Sequence, residues 1–399
     1  MTSRDKKLWQ EMPSLPDFNY VSGEVYTQPE IFKKEQDKIF SKTWHFVCHE
    51  SELPKLFDYR VYDYTGKSIF SIRGEDGIVR SFFNVCSHRG AKLFSTPSGN
   101  AKRIKCFYHH WMYNSKGTCT GIPRPSAYSD TEVKKENMGL REIRTEVYFG
   151  MIFINLSDES ESLRSYIGNA LDDLSETMSM QPLEVFHYNK VLIHSNWKAW
   201  QETNMDIYHE FMHVVLRKTQ VNAMPMEERK LSIFKNGHGG SGASLKASYT
   251  NYKGFANRKE EVSPLPGMTV SDFKFMNIFP SLTIIARGTA IRIDNVIPLT
   301  PDTAIIEMRG IGVMGESNKD RRARQKHHNQ YWGPFGRNVP EDIIAAESCA
   351  ESFRGSAGKY QIISRDEDGT GQDDIILRSF YSEWALRLGI NPGSLKEMK

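Results

Sequence analysis

Two short segments decide how this chain is read: Asn84–Leu93, NVCSHRGAKL, and Cys106–Gly117, CFYHHWMYNSKG. The first holds C-x-H (Cys86, His88), the second C-x-x-H (Cys106, His109), and seventeen residues lie between His88 and Cys106. Two cysteines and two histidines suit a tetrahedral zinc, but common zinc modules pair Cys with Cys and His with His. Here each pair is mixed. Mixed pairs suit a two-iron, two-sulfide cluster in which one iron takes both thiolates and the other both imidazoles. Neutral histidines in place of two thiolates raise the reduction potential, as an electron acceptor requires. Gly90 permits a tight turn after His88, and Gly117 closes the hairpin after YNSK. His110, beside His109, is expected to pack or face solvent.

The surroundings read as β structure. YRVYDY, SIFSIRG, IVRSFFNV, RIKCFYHHWMY and GMIFINL are short strands separated by turn signals such as RGEDG and NSKG. Before them, PEIFKKEQDKIFSKT has the spacing of an amphipathic helix. After them, ESLRSYIGNALDDLSETM and NWKAWQETNMDIYHEFMHVVLRK read as helices. NGHGGSGAS, residues 236–244, reads as a loop, and SNKDRRARQKHHNQ as a charged helix or its solvated face. LTIIARGTAIRIDNVIPL and TAIIEMRGIGVM read as strands of a second sheet. The expected class is α+β, with a small β domain before a larger mixed one.

With 399 residues, two domains are the natural expectation. A formal net charge of +3 and the lack of any basic block argue against nucleic acid as a partner. No apolar run reaches membrane-spanning length, and the first residues lack a signal-peptide core, so a cytoplasmic location is expected. Five scattered cysteines fit free thiols or metal ligands better than a disulfide framework.

A second constellation lies at His209-Glu210-Phe211-Met212-His213, literally the zinc-peptidase pattern H-E-x-x-H. On a helix both rings share one face. The longer metallopeptidase signature would place Gly at 216 and His at 219, where this chain has Leu216 and Thr219. Glu227 or Glu228 stays open as a third zinc ligand. A protease has no use for a redox cluster, however. Two histidines and one carboxylate with open positions make the facial site of non-haem Fe(II) oxygenases. Arg287 and Arg292, on LTIIARGTAIRIDNVIPL, are candidates for pairing with a substrate carboxylate or sulfonate, against the plainer reading of solvent-facing or structurally paired arginines.

The ligand segments resemble those of the Rieske ring-hydroxylating oxygenase α subunits. EIFKKEQDKIFSKTWHFVCHESEL, GMIFINL, NWKAWQETNMDIYHEFMH, GPFGRNVPEDIIAAE and ILRSFYSEWALRLG extend the resemblance over most of the chain. It implies a Rieske [2Fe–2S] domain over 46–157 and a helix-grip catalytic domain over 158–399, with a helical segment over 1–45 packed on the latter. Cys86, His88, Cys106 and His109 become cluster ligands. His209, His213 and Asp342 become ligands of a mononuclear Fe(II), with Glu341 as the rival carboxylate. Asp206 becomes the acid that orients His209 and bridges to His109 of a neighbouring subunit. The family commonly has four residues between the two histidines, where this chain has three. It usually has Gly where His110 stands, so the local turn there is expected to differ; many members have Asn at Glu202, so the polar contacts beside the iron are expected to differ. The implied activity is that of a terminal oxygenase, using O2 and NAD(P)H-derived electrons to hydroxylate an aromatic compound. The implied partners are a reductase, with or without a ferredoxin, and an α3 or α3β3 assembly. A monooxygenase or demethylase acting on a non-aromatic substrate is the nearer alternative. A zinc metallopeptidase and a Rieske electron carrier with a non-catalytic second domain are the alternatives of other classes.

Overall fold

The computed structural model describes residues 19–213, 221–243, 245–249, 263–333, 336, 338–365 and 368–398. It divides into two compact units, residues 41–163 and a second formed by residues up to 40 together with 164–399. Strand β1 (Tyr20–Ser22) and helix α1 (Pro29–Glu35), which runs into a π turn at Gln36–Phe40, belong to the second unit.

The first unit is all β. Its strands are β2 (His45–His49), β3 (Asp58–Tyr64), β4 (Lys67–Arg73), β5 (Val79–Phe83), β6 (Ser98–Asn100), β7 (Ile104–Lys105), β8 (Met112–Tyr113), β9 (Cys119–Gly121), β10 (Glu142–Tyr148) and β11 (Met151–Asn155). Seven form an antiparallel sheet in the order β2-β11-β10-β5-β4-β3-β6, and β7-β8-β9 form a small second sheet. The stretch expected as one strand, RIKCFYHHWMY, is instead two strands of two residues with a loop between them. The residues that interrupt it are the ligand loop. Phe70, Phe82, Ile104, Trp111 and Tyr113 build one core, which also takes in Cys86 and Cys106.

The second unit continues with α2 (Asp172–Ser179), β12 (Leu183–Ile193), α3 (Trp197–Thr203), β13 (Val221–Ala223), β14 (Leu231–Phe234), β15 (His238–Ser241), β16 (Leu245–Tyr249), β17 (Asp272–Ile278), β18 (Leu282–Arg287), β19 (Ala290–Thr300), β20 (Thr303–Val313), α4 (Asn318–Tyr331), α5 (Asn338–Arg354), β21 (Tyr360–Ile362) and α6 (Ile375–Leu388). The sheet order is β12-β20-β19-β18-β17-β15-β14, with β16 also paired to β17. Residues Ala290–Pro298 of β19 are buried in succession, as in a strand covered on both faces.

Two further expectations change, and the charged helix forms with part of its face buried. The segment 161–178 is two helical pieces, because Gly168 takes a left-handed φ of 55° between them. The glycine-rich segment is no loop: β15 runs through it and pairs with β14 and β17. Packing explains why. A Cβ on Gly239 would lie 2.8 Å from Ile376, and one on Gly240 would fall on the Phe275 carbonyl, so glycine is what lets this strand be central. The charged helix α4 buries Arg324, His327 and His328, and Arg324 is neutralised by Glu316 at 2.6 Å.

Helix α3 is fixed at its N-terminal end. The Asn196 side chain caps it by accepting the Lys198 N–H. Lys198, fully buried, donates to Glu35 Oε1 at 2.6 Å. The same carboxylate accepts from Trp384 Nε1 at 2.7 Å and Trp197 Nε1 at 2.8 Å. One buried acid thus ties α1, α3 and α6 together.

Candidate metal centres

In the first unit the two ligand loops repeat one design. The Gly90 N–H returns to the Cys86 carbonyl, and the His110 N–H returns to the Cys106 carbonyl, each at 3.0 Å. Gly90 has φ 72° and His110 φ 60°, so both occupy the same left-handed position of their loops. His110 replaces the usual glycine without changing the turn, since histidine is among the residues that tolerate this region. Asn84 clamps the first loop, its Oδ1 accepting from Leu93 N at 3.1 Å and Phe94 N at 2.9 Å.

The loops bring Cys86, His88, Cys106 and His109 together. Both cysteines are buried and both histidines half-buried, with ring centroids 4.7 Å apart. The Tyr128 hydroxyl lies 3.2 Å from His88 Nε2, which leaves Nδ1 for a metal, and Trp111 stacks on the ring at 4.9 Å. The Tyr113 hydroxyl lies 3.2 Å from the Cys86 sulfur and accepts the Ser87 N–H. Burial pushes the Cys86 thiol up, partly offset by that Tyr113 contact, and burial pushes His88 down, helped by His109. Inner thiolates and outer imidazoles are the donor set a mixed-ligand two-iron cluster needs. Sequence reasoning missed Tyr113 and Tyr128. Tyr113 lies within the second ligand segment, but nothing near Tyr128 marks it.

In the second unit the helix expected to run through His213 stops at Thr203. Three backbone groups close it: Asn204, Met205 and Asp206 donate back to Gln201 and Glu202. The Asp206 carboxylate then accepts the Tyr208 N–H at 2.7 Å and starts a separate 3-10 turn, Tyr208–Met212. The expected helix beyond His213, with Leu216 and Thr219, lies outside the described residues. The tighter turn still points both rings at one place. His209 and His213 have centroids 5.1 Å apart, and Asp342 Oδ1 lies 3.4 Å from the Nε2 of each. One ligand atom from each of the three lies within 4.8 Å of the others. Asp342 Oδ1 is buried without a hydrogen-bond partner, as a waiting metal ligand should be.

The atoms behind these rings differ. His209 Nδ1 contacts the Asp206 backbone carbonyl, while the Asp206 carboxylate is 3.8 Å away. His213 Nδ1 meets Glu341 Oε2 at 2.8 Å. Burial works against the charged form of His209, but Asp342 and Asp206 together outweigh it, so this pKa is raised. Burial dominates at His213 and lowers its pKa despite Asp342 and Glu341. Glu210, the general base of a zinc-peptidase reading, is held by Arg229 in two bonds of 2.7 and 3.0 Å. Glu202 turns away from this site. Its carboxylate accepts from Tyr26 at 2.7 Å and also from Tyr381, and burial raises its pKa.

The three ligand-type residues form part of the lining of a cavity of about 140 Å³. Phe273, Phe275, Ile285 and Trp332 give it an apolar side, and Arg229, Lys246, Arg287 and Arg292 bring four cations. Arg229 pairs with Glu210, Lys246 with Asp272, and Arg292 with Asp294 at 2.7 Å. Burial pushes the Asp294 carboxyl up to about 6 although Arg292 pulls it down. Arg287 stands half-buried among Tyr331, Trp332 and Phe273, its guanidinium 4.2, 5.1 and 5.4 Å from their ring centres. Arg292 therefore has the internal pair that one plainer reading expected, and Arg287 rests against aromatic faces.

Both units are similar to known proteins. A family profile described as the Rieske [2Fe-2S] domain matches residues 43–141, and one described as the ring-hydroxylating α subunit catalytic domain matches 178–383. The chain is 42% identical to the 2-aminobenzenesulfonate 2,3-dioxygenase subunit alpha of an Alcaligenes species, over 96% of this chain and 97% of that one. It is 37% identical to the methanesulfonate monooxygenase hydroxylase subunit alpha of Methylosulfonomonas methylovora, over 96% and 94%. The fold is similar to that of naphthalene 1,2-dioxygenase from a Rhodococcus species, with a TM-score of 0.77 at 20% identity over 92% of this chain and 94% of that one. Among the described residues no helix is long and apolar enough to cross a membrane.

Proposed function

The chain belongs to the α subunits of the ring-hydroxylating Rieske oxygenases, and within that family we propose that it oxidises a small organic anion, best fitted by a sulfonated single-ring compound. As a family member it is an oxidoreductase that uses a Rieske [2Fe–2S] cluster and a mononuclear iron, with electrons supplied by a reductase. We assign the cluster to Cys86, His88, Cys106 and His109, and the iron to His209, His213 and Asp342. The donor sets fit both groups: mixed Cys/His pairs for the cluster, and two imidazoles with one carboxylate for the iron. When bound, the iron supplies the oxygen chemistry and the cluster the electrons.

What this chain adds is a receptor for the substrate. The observation that carries the reading is a cavity with the iron ligands, a cationic group held by aromatic rings and an apolar side all in its lining. At about 140 Å³ it is close to the ~150 Å³ apolar cavity that admits benzene. Arg287 offers a planar fork suited to two sulfonate or carboxylate oxygens, and its aromatic clamp limits the side-chain freedom lost on binding. The two relatives are named for 2-aminobenzenesulfonate and methanesulfonate, and both names specify sulfonates. An alkyl sulfonate is the second reading, favoured by the Methylosulfonomonas relative; the apolar side favours the ring.

Oxygen uptake with product analysis tests this, using purified oxygenase with a reductase. Benzenesulfonates should be oxidised in preference to the uncharged sulfonamides of the same shape. Arg287→Gln should cost at least ~10-fold in kcat/KM for the anion, the loss of ~1.4 kcal/mol or more expected from a charge-assisted contact, and little for the sulfonamide. Equal rates on anion and sulfonamide by the parent enzyme would discard the anionic reading.

Electron delivery between subunits is a further part of the proposal, within an α3 or α3β3 ring. Exposed Phe107 and Tyr108 lie on the second cluster loop, and exposed Tyr208 and Phe211 follow Asp206, as surfaces that meet in an assembly would. In that ring the Asp206 carboxylate would reach the partner's cluster histidine, and Asp206→Asn should keep both metal centres but slow single-turnover transfer between them.

A further inference from the structure

We infer that Glu341 is the residue that orients His213 and strengthens it as an iron ligand, so that two adjacent acids of α5 divide the work at one imidazole. The inference rests on the iron-site reading above and adds a residue to it.

Glu341 and Asp342 are consecutive residues near the N-terminus of α5, about 100° apart around the helix. Side chains so placed cannot approach one atom from the same side, but they can reach two sides of one ring. That is the observed arrangement. Asp342 Oδ1 faces His213 Nε2 at 3.4 Å, and Glu341 Oε2 meets Nδ1 at 2.8 Å. The extra methylene of Glu gives the longer reach to the far nitrogen.

A carboxylate oxygen at 2.8 Å from a ring nitrogen is at the distance of a charge-assisted hydrogen bond. It accepts the proton of Nδ1, which fixes the tautomer. The lone pair of Nε2 is then left for a metal, directed to the point where His209 Nε2 and Asp342 Oδ1 converge. Both His213 and Asp342 are buried and Glu341 is about one-fifth exposed, so this bond is only weakly screened.

His209 shows the contrast. Its Nδ1 contacts the neutral carbonyl of Asp206, and the Asp206 carboxylate stands 3.8 Å off, beyond hydrogen-bond reach. The two imidazoles are therefore unequal. His213, backed by an anion, is the stronger electron donor, and His209 is the weaker. Within this chain the carboxylate–histidine–metal arrangement is built from Glu341 rather than Asp206.

The test uses the full oxygenase with its cluster loaded, as parent, Glu341→Gln and Glu341→Ala. Ferrous iron affinity is measured by competition with a chromogenic chelator, and the EPR spectrum of the ferrous–nitric oxide adduct reports the ligand field. Glu341→Ala should weaken iron binding 10- to 100-fold and change the rhombicity of the adduct. Glu341→Gln keeps a neutral acceptor for Nδ1, so it should fall between alanine and parent and guard against a variant that fails to fold. The visible spectrum of the cluster should not move in either. Parent-like affinity and an unchanged adduct spectrum in Glu341→Ala would overturn the inference. So would loss of all mononuclear iron in Glu341→Ala together with its retention in Asp342→Ala, because Glu341 would then itself be the ligand. A parent protein that binds no ferrous iron outside the cluster overturns the iron-site reading, and the inference with it.

Discussion

Removing the Glu35 carboxylate should destabilise the catalytic unit by about 3–5 kcal/mol at pH 7, the range for breaking a buried ion pair by deleting one partner. Glu35→Ala strands Lys198, which has no solvent exposure, and leaves the indole N–H groups of Trp197 and Trp384 without their acceptor. Lys198 limits the loss, because it can fold neutral. Its ordinary pKa is near 10.5, so holding it neutral at pH 7 costs about 5 kcal/mol at 1.36 kcal/mol per pH unit. The direction with pH follows. Burial already lowers the Lys198 pKa in the parent, with Glu35 opposing that effect, and the variant loses the opposition. Between the lowered folded pKa and 10.5 the unfolded chain binds more protons, so stability rises with pH there. The deficit of Glu35→Ala should therefore shrink by up to ~1.4 kcal/mol per pH unit between pH 7 and 9. Urea unfolding followed by the fluorescence of buried Trp197, Trp200 and Trp384 measures it. Glu35→Leu combined with Lys198→Met should recover most of the loss, since a buried pair exchanged for apolar residues is often neutral. A single variant that loses under ~1 kcal/mol, or a deficit independent of pH, would refute this reasoning.

Two backbone predictions follow from the glycine and loop geometry. His110→Gly should leave the cluster absorption unchanged and alter the stability of the first unit by no more than ~1 kcal/mol, because relief of the left-handed strain is offset by glycine's added chain entropy; thermal unfolding of the holoprotein checks it. Gly240→Ala should destabilise the second unit by at least ~2 kcal/mol, since its Cβ meets the Phe275 carbonyl, a backbone atom that cannot rotate away; a parent-like melting temperature would contradict it.

Much of the site was legible in the sequence because its chemistry is local. Each cluster loop carries one thiolate and one imidazole within four residues, so the mixed pairing is visible before any folding. The partners that shape the cluster surroundings are less visible. Tyr128 reaches His88 from forty residues away, and no motif marks it. The iron site shows the same division. His209 and His213 declare themselves, but Asp342 came only through family resemblance, and Glu341 beside it is an equally good acid on paper. What separates them is which nitrogen of His213 each one meets. The expected unbroken helix from Trp197 ended at Thr203, and beyond it the Asp206 side chain takes a backbone N–H and starts a separate turn. The expected loop at 236–244 failed because composition cannot report that Ile376 and Phe275 press on β15. Glu202, expected to alter the contacts beside the iron, instead joins a buried pair of tyrosines.

The most direct test of two iron centres is metal and acid-labile sulfide analysis of anaerobically purified protein, parent beside Asp342→Ala and Cys106→Ala. One [2Fe–2S] cluster and one mononuclear iron predict an iron-to-sulfide ratio of about 3:2 for the parent. Asp342→Ala should fall to about 2:2 with its visible spectrum intact, and Cys106→Ala should lose the sulfide and the colour. A colourless parent holding stoichiometric zinc and no sulfide would contradict the account.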